Sequence, residues 1–160
     1  MVVQVIWAKA EFENVASLQI PGDHEWVLDV EVGGELRKGV TVCAREILEV
    51  PNSRGTANLV IKVDKNIFAT INIVDIPKVV KSSEITCSDE GLVPVLGLEC
   101  RGCEIRGWSP TGFYQAKSAL SDTVFPEVDL QTGEWCDFDA EGGQPVSILN
   151  FQCEVLNLKK

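Results

Sequence analysis

The stretch "EWVLDVEV", Glu25–Val32, decides the fold. Trp26, Leu28, Val30 and Val32 fall on one side of an extended chain, and Asp29 and Glu31 fall on the other. Alternation with period two is the mark of a half-buried strand. The pattern recurs outward from there. "ANLVIKV" puts Leu59, Ile61 and Val63 together, with Asn58 and Lys62 opposite. "NIFATINIV" is rich in β-branched residues, and "SILNFQCEVLNL" sets Leu149, Phe151, Cys153 and Val155 on one side. Turn-forming clusters separate these runs: "IPGD", "GGE", "PNSRG", "SPTG", "QTGE" and "EGGQP". Only "GVTVCAREILEV" competes as a helix, and its Thr and Val content argues against one. Short strands with regular turns predict an all-β fold, a sandwich or barrel-like arrangement.

The 160 residues suffice for a single domain spanning 1–160 with its own core. An internal echo suggests duplication. "VLDVEVGGELR" (Val27–Arg37) aligns with "VLGLECRGCEIR" (Val95–Arg106) with one inserted residue. Two pseudo-symmetric β units over about 1–80 and 81–160, joined near Asp75–Gly91, would explain it.

Hydrophobic content of 45% and charged content of 24% are those of an ordinary globular chain. No apolar run is long enough to span a bilayer, so no membrane partner is expected. The start lacks the basic n-region of a signal peptide, and a cytoplasmic location is expected. In that compartment the six cysteines are expected as thiols rather than disulfides. The net charge of −10 repels phosphate backbones and weighs against nucleic acid. Seven acidic residues and no Lys or Arg occupy Asp122 to Glu141. This segment reads as a solvated face, or as a docking surface for a basic protein partner, with Asp137, Asp139 and Glu141 as its candidate residues. "DFDAEGG" lacks the EF-hand pattern, so calcium is not expected there.

No motif identifies a reaction, and no enzymatic activity is expected. His24 is the sole histidine and sits in a turn, with no Gly-x-Ser-x-Gly elbow elsewhere. Glu134 and Asp137 lie in an acidic turn of no distinguishing context. Two Arg-Gly pairs, Arg54–Gly55 and Arg101–Gly102, suggest tight turns that present a guanidinium to an acidic group or ligand. Cys100 and Cys103 form a Cys-x-x-Cys. Zinc needs four ligands, so this pair would need Cys43, Cys87, Cys136 or another neighbour to complete a site. Thiol exchange calls for a helix N-terminus to lower a thiol's pKa, and this motif follows a strand, so redox chemistry is not expected.

"AEFENVASL", "SRGTANLV", "LECRG" and above all "TVFPEVDLQTGEWCDFDAEGGQPVSI" resemble the eukaryotic CXXC-motif-containing zinc-binding protein family. The resemblance covers nearly the whole chain. It implies an all-β fold, a cytosolic setting, protein contacts connected with metal handling, and no established enzymatic activity. It also implies one zinc held by two Cys-x-x-Cys motifs. These fall here on "VGGE", with ligand positions Val32 and Glu35, and on "VDKN", with ligand positions Val63 and Asn66. All four cysteines are replaced, so no zinc and no other cofactor is expected. A structural zinc supplies about 10–16 kcal/mol of apparent binding free energy, whereas each buried valine contributes only about 1.5–3 kcal/mol. Replacing all four ligands, rather than one, leaves no stranded thiolate. Cys103 stands where the family carries an apolar residue.

Overall fold

A computed structural model describes residues 1–80 and 83–158. Fifteen strands and no helix occur among them. The strands of the main sheet are β1 (Val2–Glu13), β7 (Leu59–Asp64), β8 (Ile67–Val74), β10 (Val93–Arg101), β14 (Trp135–Asp139) and β15 (Gln144–Asn157). They form a six-stranded sheet in the order β14-β15-β1-β10-β8-β7. A three-stranded sheet joins β11 (Cys103–Ser109), β3 (Trp26–Val32) and β4 (Glu35–Val42), in the order β11-β3-β4. A four-stranded sheet runs β13-β12-β2-β9, from β2 (Val15–Gln19), β9 (Glu84–Thr86), β12 (Tyr114–Ser118) and β13 (Val124–Val128). A small ribbon pairs β5 (Leu48–Glu49) with β6 (Thr56–Ala57).

The alternation that predicts β3 is realised residue by residue. Trp26, Leu28, Val30 and Val32 are buried, while Val27, Asp29 and Glu31 are half-buried. That apolar face turns toward the main sheet, and β11 lies against β15, β10, β8 and β1. The core between the sheets joins Ile6, Leu28, Val30, Ile71, Leu98, Ile105 and Ile148. At one end an aromatic cluster closes it. Trp26 and Trp108 have ring centroids 4.9 Å apart, and Phe151 meets Trp108 at 5.8 Å.

Three sequence expectations look different in the structure. The face assigned to β15 breaks: Ile148 is buried and Leu149 is exposed, then Phe151 is buried again. Asn150 adopts a left-handed φ of 52°, and the β1–β15 register shifts between Lys9 and Glu11. A bulge adds one residue and so reverses the facing of the strand beyond it. The echo between Val27–Arg37 and Val95–Arg106 covers two different topologies. The first copy is the β3–β4 hairpin, but β10 and β11 belong to different sheets and do not pair with each other. The proposed halves also interleave. β1 lies between β15 and β10, β3 between β11 and β4, and β2 between β12 and β9. The joint at Asp75–Gly91 includes residues 81–82, which lie outside the described residues.

Candidate functional site

The two hairpin tips at the positions implied for zinc ligands meet in space. The β3–β4 turn is Gly33–Gly34, with φ of 59° and 80°. Two central residues at positive φ make the turn that matches strand twist, and glycine takes it without strain. A Cβ placed on Gly33 would stand 3.2 Å from Cγ1 of Val63, so the β7–β8 tip packs directly over this turn. Arg37 Nη2 adds a hydrogen bond of 3.2 Å to the Lys62 carbonyl. Val32 is buried, Val63 is half-buried, and Glu35 and Asn66 are exposed.

Cys100 and Cys103 border the same region. Cys103 stands opposite Val32 in the β11–β3 ladder, and its thiol approaches the Thr70 carbonyl at 3.8 Å. Cys100 is opposite both Val2 and Ile71 in the main sheet. The chain leaves that sheet through Arg101 and Gly102, the latter at φ 76°. Cβ on Gly102 would meet Ala69 at 3.5 Å, so the crossover runs close over β8. Both thiols are buried and line one cavity. The neighbouring Cys103 thiol and burial push the Cys100 thiol above the usual thiol range. A cavity of about 330 Å³ opens beside them, lined by Glu31, Gly33, Gly34, Cys100, Cys103 and Arg106. Arg106 binds Glu31 at 2.7 Å and Glu104 at 3.2 Å across it.

Gln4 organises this corner, and its role was not foreseen. Its side chain is 2% exposed and acts as a substitute peptide group between sheets. Nε2 donates to the Ile105 carbonyl at 3.0 Å, while Oε1 accepts from the Ile105 amide at 2.7 Å. The Cys100 thiol lies 3.7 Å from the same Oε1. One polar residue inside the apolar run "VVQVIW" was the available signal.

The other sequence candidates disperse. Arg54 is exposed in the Glu49–Thr56 loop, whereas Arg101 pairs with Glu99 at 3.3 Å. Neither guanidinium forms an ion pair with the acidic segment among the described residues. Asp137 and Glu141 are exposed, as a docking surface requires. Asp139 is not a surface residue: it is 0% exposed. Its carboxylate accepts from Ser118 Oγ at 2.5 Å, Ser121 Oγ at 2.6 Å and Thr123 Oγ1 at 3.0 Å. The amides of Glu141 and Gly142 complete the set. These donors, Ser118 first, hold its pKa well below the usual carboxylate range. Asp139 therefore ties the β12–β13 turn to the β14–β15 turn. Glu134 is exposed and free of such a network.

His24 is buried between Trp26 and Tyr114, with ring centroids 5.0 Å and 4.9 Å away. It shares a hydrogen bond of 3.2 Å with the Tyr114 hydroxyl. Burial lowers its pKa, partly opposed by Asp23 and Glu25. Cys43 and Cys153 bond to the backbone carbonyls of Asp23 and Trp108, and Cys87 and Cys136 are exposed. Among the described residues, no group of three or more His, Cys, Asp or Glu side chains could hold a metal ion. The third donor that zinc at Cys100 and Cys103 would need is thus not among them.

A family model described as CXXC motif containing zinc binding protein, eukaryotic, matches residues 5–156. The chain belongs to that family. A mouse CXXC motif containing zinc binding protein is 29% identical over 144 residues, covering 88% of this chain and 89% of the relative. A UPF0587 protein of Schizosaccharomyces pombe is 34% identical over 117 residues, covering 72% of this chain and 70% of its own length. A solved hypothetical protein from Plasmodium falciparum superposes with a TM-score of 0.87 at 29% identity, covering 98% of this chain and 100% of that one. The residues at the four implied ligand positions of this family member do not fit zinc. Val32 and Val63 offer no donor, and Glu35 and Asn66 supply one carboxylate and one amide where thiolates are needed.

Proposed function

We propose that this chain is a non-enzymatic, cytosolic member of the CXXC zinc-binding family that has given up the structural zinc and acts through protein contacts. The observation that carries this reading is the direct packing of the two hairpin tips. A Cβ on Gly33 would stand 3.2 Å from Val63 Cγ1, so the two tips close on each other where the family pattern calls for metal ligands. Apolar packing and the Arg37–Lys62 bond join the same two elements that four thiolates would otherwise tie. The exposed members of the acidic segment, Asp137 and Glu141, supply the contact surface, and a basic protein partner complements it. Asp139 has no part in that surface, because its carboxylate is consumed internally.

Metal analysis of purified, untagged protein tests the first half. Less than a tenth of an equivalent of zinc is expected, on the order expected of adventitious metal. One zinc per chain that persists in Cys100→Ser overturns the reading. A pull-down from cytosol comparing the native chain with Asp137→Asn/Glu141→Gln tests the second half. Partners retained unchanged by the double variant would remove the acidic surface from the account.

A further inference from the structure

We propose that the outer edge of β14 docks an extended protein segment in which basic and apolar residues alternate, and that this segment adds a strand to the main sheet. Docking of this kind rests on the acidic contact surface proposed above, and specifies how a basic partner seats on it. β14 ends the six-stranded sheet, and its five residues, Trp135–Asp139, pair with β15 on one side only. Phe138 is opposite Pro145. Pro145 has no N–H, and its carbonyl accepts from Asn14 Nδ2 at 2.9 Å, on the β1 side. The two residues therefore exchange no ladder bonds, and Phe138 turns its amide and carbonyl outward. With period two, Cys136 does the same.

Exposed sheet edges are ordinarily blunted by lysine, proline, bulges or extreme shortness. The other edges here carry such protection. Arg37 Nη2 covers the Lys62 carbonyl of β7, whose register also shifts between Lys62 and Asp64. β13 contains Pro126, β4 contains left-handed Gly39, and the β11 register shifts between Ile105 and Gly107. β9 has three residues, and β5 and β6 have two each. β14 holds no Lys or Pro, and its register with β15 is unbroken. Cys136, Asp137 and Phe138 are all exposed, Phe138 at 56%. The cover on this edge is local: the Phe138 amide donates to Asp137 Oδ1 at 2.6 Å.

That cover selects the occupant. A lysine or arginine opposite Asp137 draws its carboxylate into a cross-strand ion pair and frees the Phe138 amide for an incoming carbonyl. Apolar residues on either side of the cation then fall opposite Cys136 and Phe138, on the other face. A second copy of this chain does not suit, because antiparallel pairing about the strand centre would set Asp137 against Asp137.

The probe is the acetylated, amidated peptide Thr-Arg-Val-Lys-Val-Arg-Thr, added to the full chain. Amide hydrogen exchange followed by nuclear magnetic resonance should show Cys136 and Phe138 slowed by about tenfold or more in the complex. Cys136→Pro removes one outward N–H and no charge, and should weaken binding by about tenfold, whereas Cys136→Ser should bind as the native chain does. The same peptide N-methylated at both valines keeps its charge, leaves the protein unaltered, and should also bind about tenfold more weakly. Undiminished binding in both of those arms would mean that charge alone holds the peptide. The added strand would then be overturned, with the acidic contact surface left standing. No binding of the unmodified peptide would overturn it too. Undiminished binding by Asp137→Asn/Glu141→Gln would overturn the choice of a basic occupant. A dimer by analytical ultracentrifugation, with both amides already slow to exchange in the chain alone, would assign the edge to a second copy instead.

Discussion

Burial and aromatic neighbours fix what His24 can do. Folding lowers its proton affinity, so below about 6.5, its ordinary pKa, the unfolded chain binds more protons than the native one. Stability is therefore full above that pH and falls as pH drops toward the lower folded value. Asp23 and Glu25 soften the effect, and the Tyr114 hydroxyl shares a hydrogen bond with the ring Nε2. Urea titrations at pH 7.5 and pH 5.5, values chosen to bracket the ordinary imidazole range, should show native stability dropping between them. In His24→Gln the drop should be smaller. An equal drop in both proteins would place the acid sensitivity elsewhere. Gln4 makes a sharper case. Gln4→Met keeps the volume but strands the buried amide and carbonyl of Ile105. At about 1–3 kcal/mol for each stranded group, urea unfolding should report a loss of about 2–6 kcal/mol. A change within about 0.5 kcal/mol would show that the bridge is dispensable.

At the scale of elements, the contact between hairpin tips has its own energetic signature. Gly33→Ala forces a side chain into a left-handed turn and brings a Cβ to 3.2 Å from Val63. The expected cost is about 1–3 kcal/mol. Val63→Ala should relieve the steric part, so the double variant should show coupling of about 0.5 kcal/mol or more. Strict additivity would separate the two tips. The same elements show what could be read in advance. β3 was legible because one face is wholly apolar and the other carries Asp29 and Glu31. The hairpin was legible because two successive turn positions at positive φ cost glycine nothing, so Gly33–Gly34 between alternating runs signals the turn. The outward turn of Leu149 was not, because it depends on the φ of Asn150, and asparagine takes that conformation only in some settings. The burial of Asp139 was hidden as well. Its donors at Ser118, Ser121 and Thr123 come from another strand and its turn, and a list of acidic residues does not show which carboxylate they surround. The thiol pair was visible as a spacing, but the bond from the Cys100 thiol to Gln4 on β1, 96 positions away, was not.

For the molecule as a whole, interleaving is the governing fact. Each of the three larger sheets draws strands from both halves of the chain. Fragments 1–80 and 81–160 expressed separately should each lack native β-sheet circular dichroism, because β1, β2 and β3 each miss a partner. A folded 1–80 fragment would show that this half closes its own sheets without the rest of the chain. In the intact chain, far-ultraviolet circular dichroism and the fluorescence of the Trp26–Trp108 pair should report one coincident unfolding transition. Sheets closed between distant segments also fold slowly, on a scale of about milliseconds to seconds.

The antiparallel pairing of β1 with β15 bears on how the molecule responds to a pull. Gln4 is opposite Asn157, and the amide of Leu158 bonds to the carbonyl of Val3 at 2.8 Å. Tension applied between residues 2 and 158 would load that pairing at one end only. Its bonds would then break one after another, like a zip, instead of sharing the load in shear. Gln4 lies among the first residues such tension reaches, so its bridge to Ile105 would part early. A chain resistant to heat could still yield to a small force along that one direction.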